Sequence, residues 1–232
     1  MIPPEVRADL ALQVRNKMFK NSKTYIFDFD GTLVDSMPHW SQKMINILEQ
    51  FKVDYPKDII KIITPLGDKG TAKYYREVLG VPLSDDEMLA LMDKYALPKY
   101  RDEIGFKDGV CETLETLKEQ GASLNVLTAS PHRMLDPCLK RLGVFDMFDN
   151  VWSCDDFGTT KADVGIYTAA AERLGVLVSD IVFLDDNIGA VKTAKAAGMQ
   201  TVGVYDPSGE EFTDALRQTA DRYVVNLKEL LD

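Results

Sequence analysis

Cysteine is scarce in this chain: Cys111, Cys138 and Cys154 stand far apart among 232 residues. An odd number at such spacings offers neither a disulfide framework nor a paired-cysteine metal site, so a reducing, cytoplasmic location is the expectation. Long apolar runs are missing as well. No stretch approaches the roughly 20 residues that span a bilayer, and Met1-Ile2-Pro3-Pro4-Glu5 lacks the basic and apolar regions of a secretory signal. No membrane partner is expected. Positive charge is thin: 27 Lys and Arg face 37 Asp and Glu, a net charge of −10, with no basic tract. Proteins that track a phosphate backbone depend on clustered Lys and Arg, which argues against a nucleic-acid partner. There is no internal repeat and no low-complexity segment. What is present in quantity is apolar side chain, 45% of the sequence, enough for a packed core.

That apolar content falls into alternating runs. Thr24–Phe27, Ser123–Leu127, Val151–Ser153, Ile181–Leu184 and Thr201–Val204 predict strands, several without clean in-out alternation, as central parallel strands covered on both faces would be. Val110–Glu119, Pro131–Leu142, Asp163–Leu174 and Ile188–Ala197 predict helices between them, each followed by a glycine suited to a C-terminal cap (Gly121, Gly143, Gly175, Gly198). Strands alternating with helices imply an α/β fold, a doubly wound parallel sheet of the Rossmann-like kind. Ahead of the first strand, Val6, Leu10, Val14 and Met18 recur every four residues, predicting an amphipathic helix over 3–20. Between about Ser36 and Gly105 no strand is predicted, only helices near Pro38–Phe51, Pro56–Ile63, Lys69–Leu79 and Ser84–Tyr100, the last opened by Ser84 and Glu87 as a capping box. This interval is too long for a plain loop and reads as an inserted helical domain. The expected organisation is a helical extension over 1–22, a core over 23–35 and 106–232, and a helical cap over 36–105.

Chemistry is carried at the strand ends. In Tyr25-Ile26-Phe27-Asp28-Phe29-Asp30-Gly31-Thr32-Leu33-Val34-Asp35-Ser36, two carboxylates lie two residues apart where an apolar strand stops, a spacing that places both on one face of an extended segment. Burying an unpaired carboxylate is costly, so a metal, a cation or chemistry must absorb the charge. Gly31 allows a sharp turn beside them. Ile181-Val182-Phe183-Leu184-Asp185-Asp186-Asn187 repeats the theme. Thr128 ends another strand, where its hydroxyl and nearby amides such as that of Ala129 could hold a phosphoryl oxygen, although a helix cap is the ordinary use of such a threonine. Lys161 precedes a helix, where most lysines are solvated. In a parallel sheet, loops at the carboxyl ends of the strands open onto one crevice, so Asp28, Thr128, Lys161 and Asp186 are expected to converge. Magnesium, a hard cation, suits the paired acids there, with Asp28 and Asp186 as the obvious ligands.

The string DFDGTLVDS resembles the first motif of the haloacid dehalogenase-like hydrolases, and from about Lys23 onward the other motifs of that superfamily follow in order. The resemblance is to the phosphoglycolate phosphatase and β-phosphoglucomutase branch, whose helical cap occupies the place of the 36–105 insertion. It implies an enzyme, a phosphoric monoester hydrolase, in which Asp28 attacks phosphorus to form an aspartyl phosphate and Asp30 acts as acid and base. Thr128 and Lys161 would bind the transferring phosphoryl group. Mg2+ would be held by Asp28, Asp186 and the Asp30 carbonyl, with Asp185 as a direct or outer contributor. The implied partner is a small phosphorylated metabolite, and the chain would be a monomer or a homodimer. Specificity would lie in the cap and after Thr128, which nominates the turns Gly67-Asp68-Lys69-Gly70 and Ser130-Pro131-His132-Arg133, with Lys69, His132 and Arg133 as substrate contacts.

The sequence departs from the family pattern in two places. Ala162 and Val164 replace prolines that usually flank the acid after the third-motif lysine. In mutases of this branch a cap histidine follows the acid of the DS or DT pair by five positions; here that position is Trp40, with His39 displaced by one, which weighs against a sugar-phosphate mutase, the alternative activity. A binding protein that keeps the fold without chemistry is a third reading, opposed by retention of both acids of DFD, Lys161 and Asp185-Asp186.

Overall fold

The computed structural model describes residues 23–63 and 66–231; the helix expected over 3–20 lies outside them. Six parallel strands form one sheet in the order β3-β2-β1-β4-β5-β6: β1 Thr24–Phe27, β2 Ser123–Thr128, β3 Asn150–Ser153, β4 Ile181–Asp185, β5 Gln200–Val204 and β6 Arg222–Val224. This is the doubly wound arrangement, with the strand order reversing at β1. β1 is flanked by β2 and β4, so Ile26 and Phe27 have no access to solvent, which is why the run lacks polar alternation. Five strands lie where the apolar runs place them. The sixth, Arg222-Tyr223-Val224, is a three-residue edge strand too short and polar to stand out in sequence, and the seven-residue helix before it, Thr213–Thr219, was likewise not expected.

The chain divides into two compact units, one running up to Asp35 and resuming at Phe106, the other Ser36–Gly105. In the sheet-bearing unit, Val110–Glu119, His132–Arg141, Val164–Leu174 and Ile188–Ala197 are helical, and the glycines after them adopt positive φ as helix ends require. Ile26, Ile166, Tyr167, Phe183 and Ala194 share one buried cluster, in which the Tyr167 and Phe183 rings meet edge to face at 5.1 Å. The Tyr167 hydroxyl is satisfied by the carbonyls of Lys161 (2.9 Å) and Ala190 (3.1 Å), so core packing pins the loop that carries Lys161.

The second unit is wholly helical among its described residues: Met37–Phe51, Ile59–Ile63, Gly67–Glu77 and Asp85–Asp102. It has its own core of Met44, Ile47, Leu48, Ile63, Tyr75, Met88 and Met92. The Ser84 and Glu87 capping box forms as expected. One local reading is corrected: Gly67-Asp68-Lys69-Gly70 is no turn but the first turn of a helix. Its glycines suggested a loop, yet Thr71, Ala72 and Tyr75 on the same helix are buried, and that packing outweighs the propensity cost of roughly 1 kcal/mol per glycine.

Candidate active site

The register of the sheet builds the site. Phe27 lies opposite Leu184, so the residues that follow, Asp28 and Asp185, stand side by side at the carboxyl ends of β1 and β4; the Asp28 amide donates to the Leu184 carbonyl at 2.8 Å. Lys161 Nζ reaches Asp28 Oδ1 and Asp185 Oδ2, each at 2.7 Å, and all three side chains are nearly or fully buried. The lysine that sequence statistics would leave in solvent is thus a buried cation. Burial alone would strip its proton, but Asp185 and Asp28 outweigh that and hold Lys161 protonated well above the ordinary lysine range.

Asp186 completes a cluster in which one carboxylate oxygen from each of Asp28, Asp185 and Asp186 lies within 4.8 Å of the others. Burial pushes the carboxyls of Asp28 and Asp186 upward, and the neighbouring Asp185 adds to both shifts; Lys161 opposes them. Three carboxylates against one ammonium leave the cluster short of positive charge. Asp28 Oδ1 is taken up by the Lys161 ammonium. Asp185 is fully engaged: Oδ2 accepts from Lys161 and Oδ1 from the Asn187 amide at 2.7 Å. The donor set, hard carboxylate oxygens with too little positive charge among them, fits a divalent cation.

Two further residues shape the cluster. Thr32 was not expected to matter, yet its fully buried hydroxyl donates to Asp186 Oδ1 (3.0 Å) and accepts from the Asp186 amide (3.1 Å), clamping residues 154 positions apart in sequence. Gly31 has φ +74°, and a Cβ there would sit 2.6 Å from Asp186 Oδ2, so the position excludes any side chain.

Asp30 is not part of the carboxylate cluster; its Oδ2 accepts from Ser130 Oγ at 2.5 Å. Thr128 is buried at the end of β2, and its hydroxyl accepts from the Ser130 amide at 3.0 Å, so it holds the turn that presents Ser130 to Asp30. Ala129 and Arg133 are exposed on the same segment. His132 is tied down at both ring nitrogens, to Asp136 and Asp156 at 2.8 Å each. In the helical unit, Lys69 is exposed, whereas Lys43 is almost fully buried and pairs with Asp68 at 3.1 Å; Trp40 Nε1 donates to the same carboxylate at 3.0 Å.

Comparisons with known proteins place the chain in a family. The model of the haloacid dehalogenase-like hydrolases matches residues 25–204. Hexitol phosphatase B of Escherichia coli (strain K12) is 28% identical over 208 residues, covering 88% of this chain and 92% of that protein. The phosphorylated carbohydrates phosphatase of Thermotoga maritima is 26% identical over 177 residues, covering 76% and 82%. Among solved structures, CbbY from Rhodobacter sphaeroides in complex with phosphate shares the fold, with a TM-score of 0.75, 22% identity and coverage of 90% of this chain and 96% of that one. The match of the family model across most of the chain, over the strands that carry the acidic cluster and the loop that carries its lysine, shows that this protein belongs to the haloacid dehalogenase-like hydrolases.

Proposed function

We propose that the protein is a magnesium-dependent phosphatase of a small phosphomonoester, acting through an aspartyl phosphate on Asp28. The observation that carries this reading is the buried Asp28 carboxylate, held against Lys161 beside Asp185 and Asp186 in a cluster with more negative than positive charge. Asp28 and Asp186 are the direct metal ligands in this proposal, together with the Asp30 carbonyl. Asp185, with both oxygens occupied, positions Lys161 instead. Bound magnesium would screen the substrate's charge from Asp28 and polarise the phosphoryl group.

The rest is done by side chains of the chain itself. The Asp28 carboxylate attacks phosphorus as the bond to the alcohol oxygen breaks, and the leaving oxygen takes the proton of Asp30. Water then attacks the acyl phosphate, giving its proton to Asp30 and releasing phosphate with Asp28 regenerated. Lys161, permanently charged, binds the phosphoryl oxygens, with the Thr128 hydroxyl and the Ala129 amide beside it. The Ser130 hydroxyl on Asp30 Oδ2 sets the orientation of the acid. The helical unit acts as a cap that selects the non-reacting end of the substrate, with Lys69 as its candidate contact and His132 and Arg133 as candidates on the segment after Thr128. Relatives named for hexitol, phosphorylated carbohydrate and phosphoglycolate substrates point to small polyol, sugar or hydroxy-acid phosphates.

Mutase activity is disfavoured by one specific group. Trp40 stands where the branch's mutases carry a histidine, and an indole N–H only donates; it is already spent on Asp68. A panel of phosphorylated metabolites assayed for phosphate release, with magnesium and with chelator, tests the proposal. Release from at least one small phosphomonoester, silenced by chelation, is expected; isomerised product without free phosphate would refute it. Asp28→Asn should lose roughly a thousandfold or more in kcat, as loss of a covalent nucleophile does, with Tm unchanged.

A further inference from the structure

Lys107 makes an unusual set of contacts for a residue next to a domain junction. Its Nζ donates to the Gly31 carbonyl at 2.5 Å, the Tyr205 carbonyl at 2.6 Å and Asp206 Oδ2 at 2.9 Å. Three acceptors use all three protons of an ammonium group. The side chain is 16% exposed and that of Asp206 2%. Asp206 is itself saturated, since its other oxygen accepts from the Ser208 amide (2.9 Å) and hydroxyl (2.6 Å). The Lys107 amide also donates to the Leu33 carbonyl at 3.0 Å, so backbone and side chain both grip the segment after the first strand.

We infer that Lys107 is a positioning residue for the catalytic centre: a tethered cation, caged by two carbonyls and a carboxylate, that fixes the peptide between Gly31 and Thr32 and through it the Asp186 carboxylate. The path is short and physical. Lys107 holds the Gly31 carbonyl, the next residue, Thr32, clamps Asp186 by its hydroxyl, and the Cα of Gly31 lies so close to that carboxylate that a Cβ would collide with it. A shift of this peptide therefore moves Asp186 or breaks its clamp. The cage also ties the loop after β1 to the end of β5, two segments with no sequence proximity. Burying a lysine costs several kcal/mol unless its protons are all satisfied, and satisfying one of them with the Gly31 carbonyl beside the candidate catalytic acids has a use that a surface ion pair would not.

The inference rests on the reading of Asp186 as a metal ligand, and the test separates the two. Magnesium binding without substrate is measured by calorimetric titration on the wild type, Lys107→Met and Lys107→Arg, beside kcat and KM for an activated aryl phosphate. Lys107→Met keeps the stem and removes the charge; Lys107→Arg keeps the charge but replaces the compact ammonium with a planar fork that does not fit the cage. Magnesium affinity should fall roughly 10–100-fold in both variants, the range typical of groups that orient a metal ligand, and kcat should fall with KM nearly unchanged. In Lys107→Ala, ammonium or methylammonium should restore kcat saturably, while tetramethylammonium, which has no proton to donate, should not. A wild type that binds no magnesium overturns the metal reading and this inference with it. A wild type that binds, alongside Met and Arg variants that bind equally well and differ only in Tm, overturns the inference alone and leaves Lys107 as a strut. Should Lys107→Met fail to fold, Lys107→Arg decides on the same two readouts.

Discussion

A buried carboxylate is an expensive object, and each one at this site is stabilised by a different kind of partner. Asp185 uses Lys161 and a backbone amide, Asp206 uses Lys107 and Ser208, and Asp186 uses the Thr32 hydroxyl. Asp28 is held at Oδ1 by the Lys161 ammonium and Asp186 at Oδ1 by Thr32, which leaves acceptor capacity on both carboxylates for a metal ion. Thr32 offers a clean test of the clamp, because valine matches its shape and lacks the hydroxyl. Thr32→Val should cost about 1–2 kcal/mol in stability, from the lost bond and the Asp186 amide and carboxylate left wanting. Magnesium affinity should fall roughly tenfold or more. Chemical denaturation and calorimetric titration measure the two separately; unchanged affinity with lowered stability would mean that the hydroxyl serves packing alone.

At the scale of elements, a histidine joins two segments on the β3 side of the sheet. His132 opens the helix His132–Arg141 and bonds Asp136 one turn on, while its other ring nitrogen reaches Asp156 in the 3-10 turn Cys154–Phe157. The Asp136 hydrogen bond raises the pKa of His132, partial burial opposes the shift, and Asp156 adds to it. A pKa raised on folding contributes stability that is fully present below the ordinary histidine value near 6.5 and is lost as pH rises through the higher, folded midpoint. Solvent reaches this pair, so the effect on Tm is small and the resonance is the better readout. The His132 ring protons should titrate above 6.5, and Asp156→Asn should lower the midpoint. A midpoint at or below 6.5 in the wild type would show that the two carboxylates do not hold the ring charged.

For the whole molecule, the two units have separate cores, and the chain crosses between them twice. Val34 and Phe106 form an isolated antiparallel bridge, which puts the two chain ends bordering the helical unit side by side. Excision of residues 36–105 and closure with a short glycine linker should therefore leave a sheet-bearing unit that folds, since its sheet and the buried cluster around Tyr167 and Phe183 lie outside the excised segment. Circular dichroism and a cooperative melt check this. If the helical unit selects substrates, the shortened protein should still release phosphate from an activated aryl phosphate while its discrimination among metabolites collapses. Retained discrimination would place specificity in the sheet-bearing unit, on the segment after Thr128. Among the described residues, no helix is long and apolar enough to cross a membrane, in keeping with the shortage of long apolar runs.

Much of this architecture was legible in the chain itself, because its signals are local. Apolar runs ending in Asp28 and in Asp185-Asp186 mark strands and the edge where charge gathers, and cap glycines mark helix ends within a residue or two. Local signals failed where local propensity and packing disagreed, as at Gly67–Gly70, or where an element was too short to show a period, as at Arg222–Val224. Side-chain partnerships were beyond reach for a different reason. Whether Lys161 is a solvated charge or a buried cation, whether Thr32 is a turn residue or a clamp, and whether Lys107 or Lys69 is the lysine that matters all depend on which strand ends become neighbours. That is decided by the 3-2-1-4-5-6 strand order, which joins Thr32 to Asp186 and Lys107 to Asp206 across 154 and 99 residues of sequence. Residue types and their spacing determined what chemistry this protein carries; only the closure of the sheet decided which of its charges are held out of water to perform it.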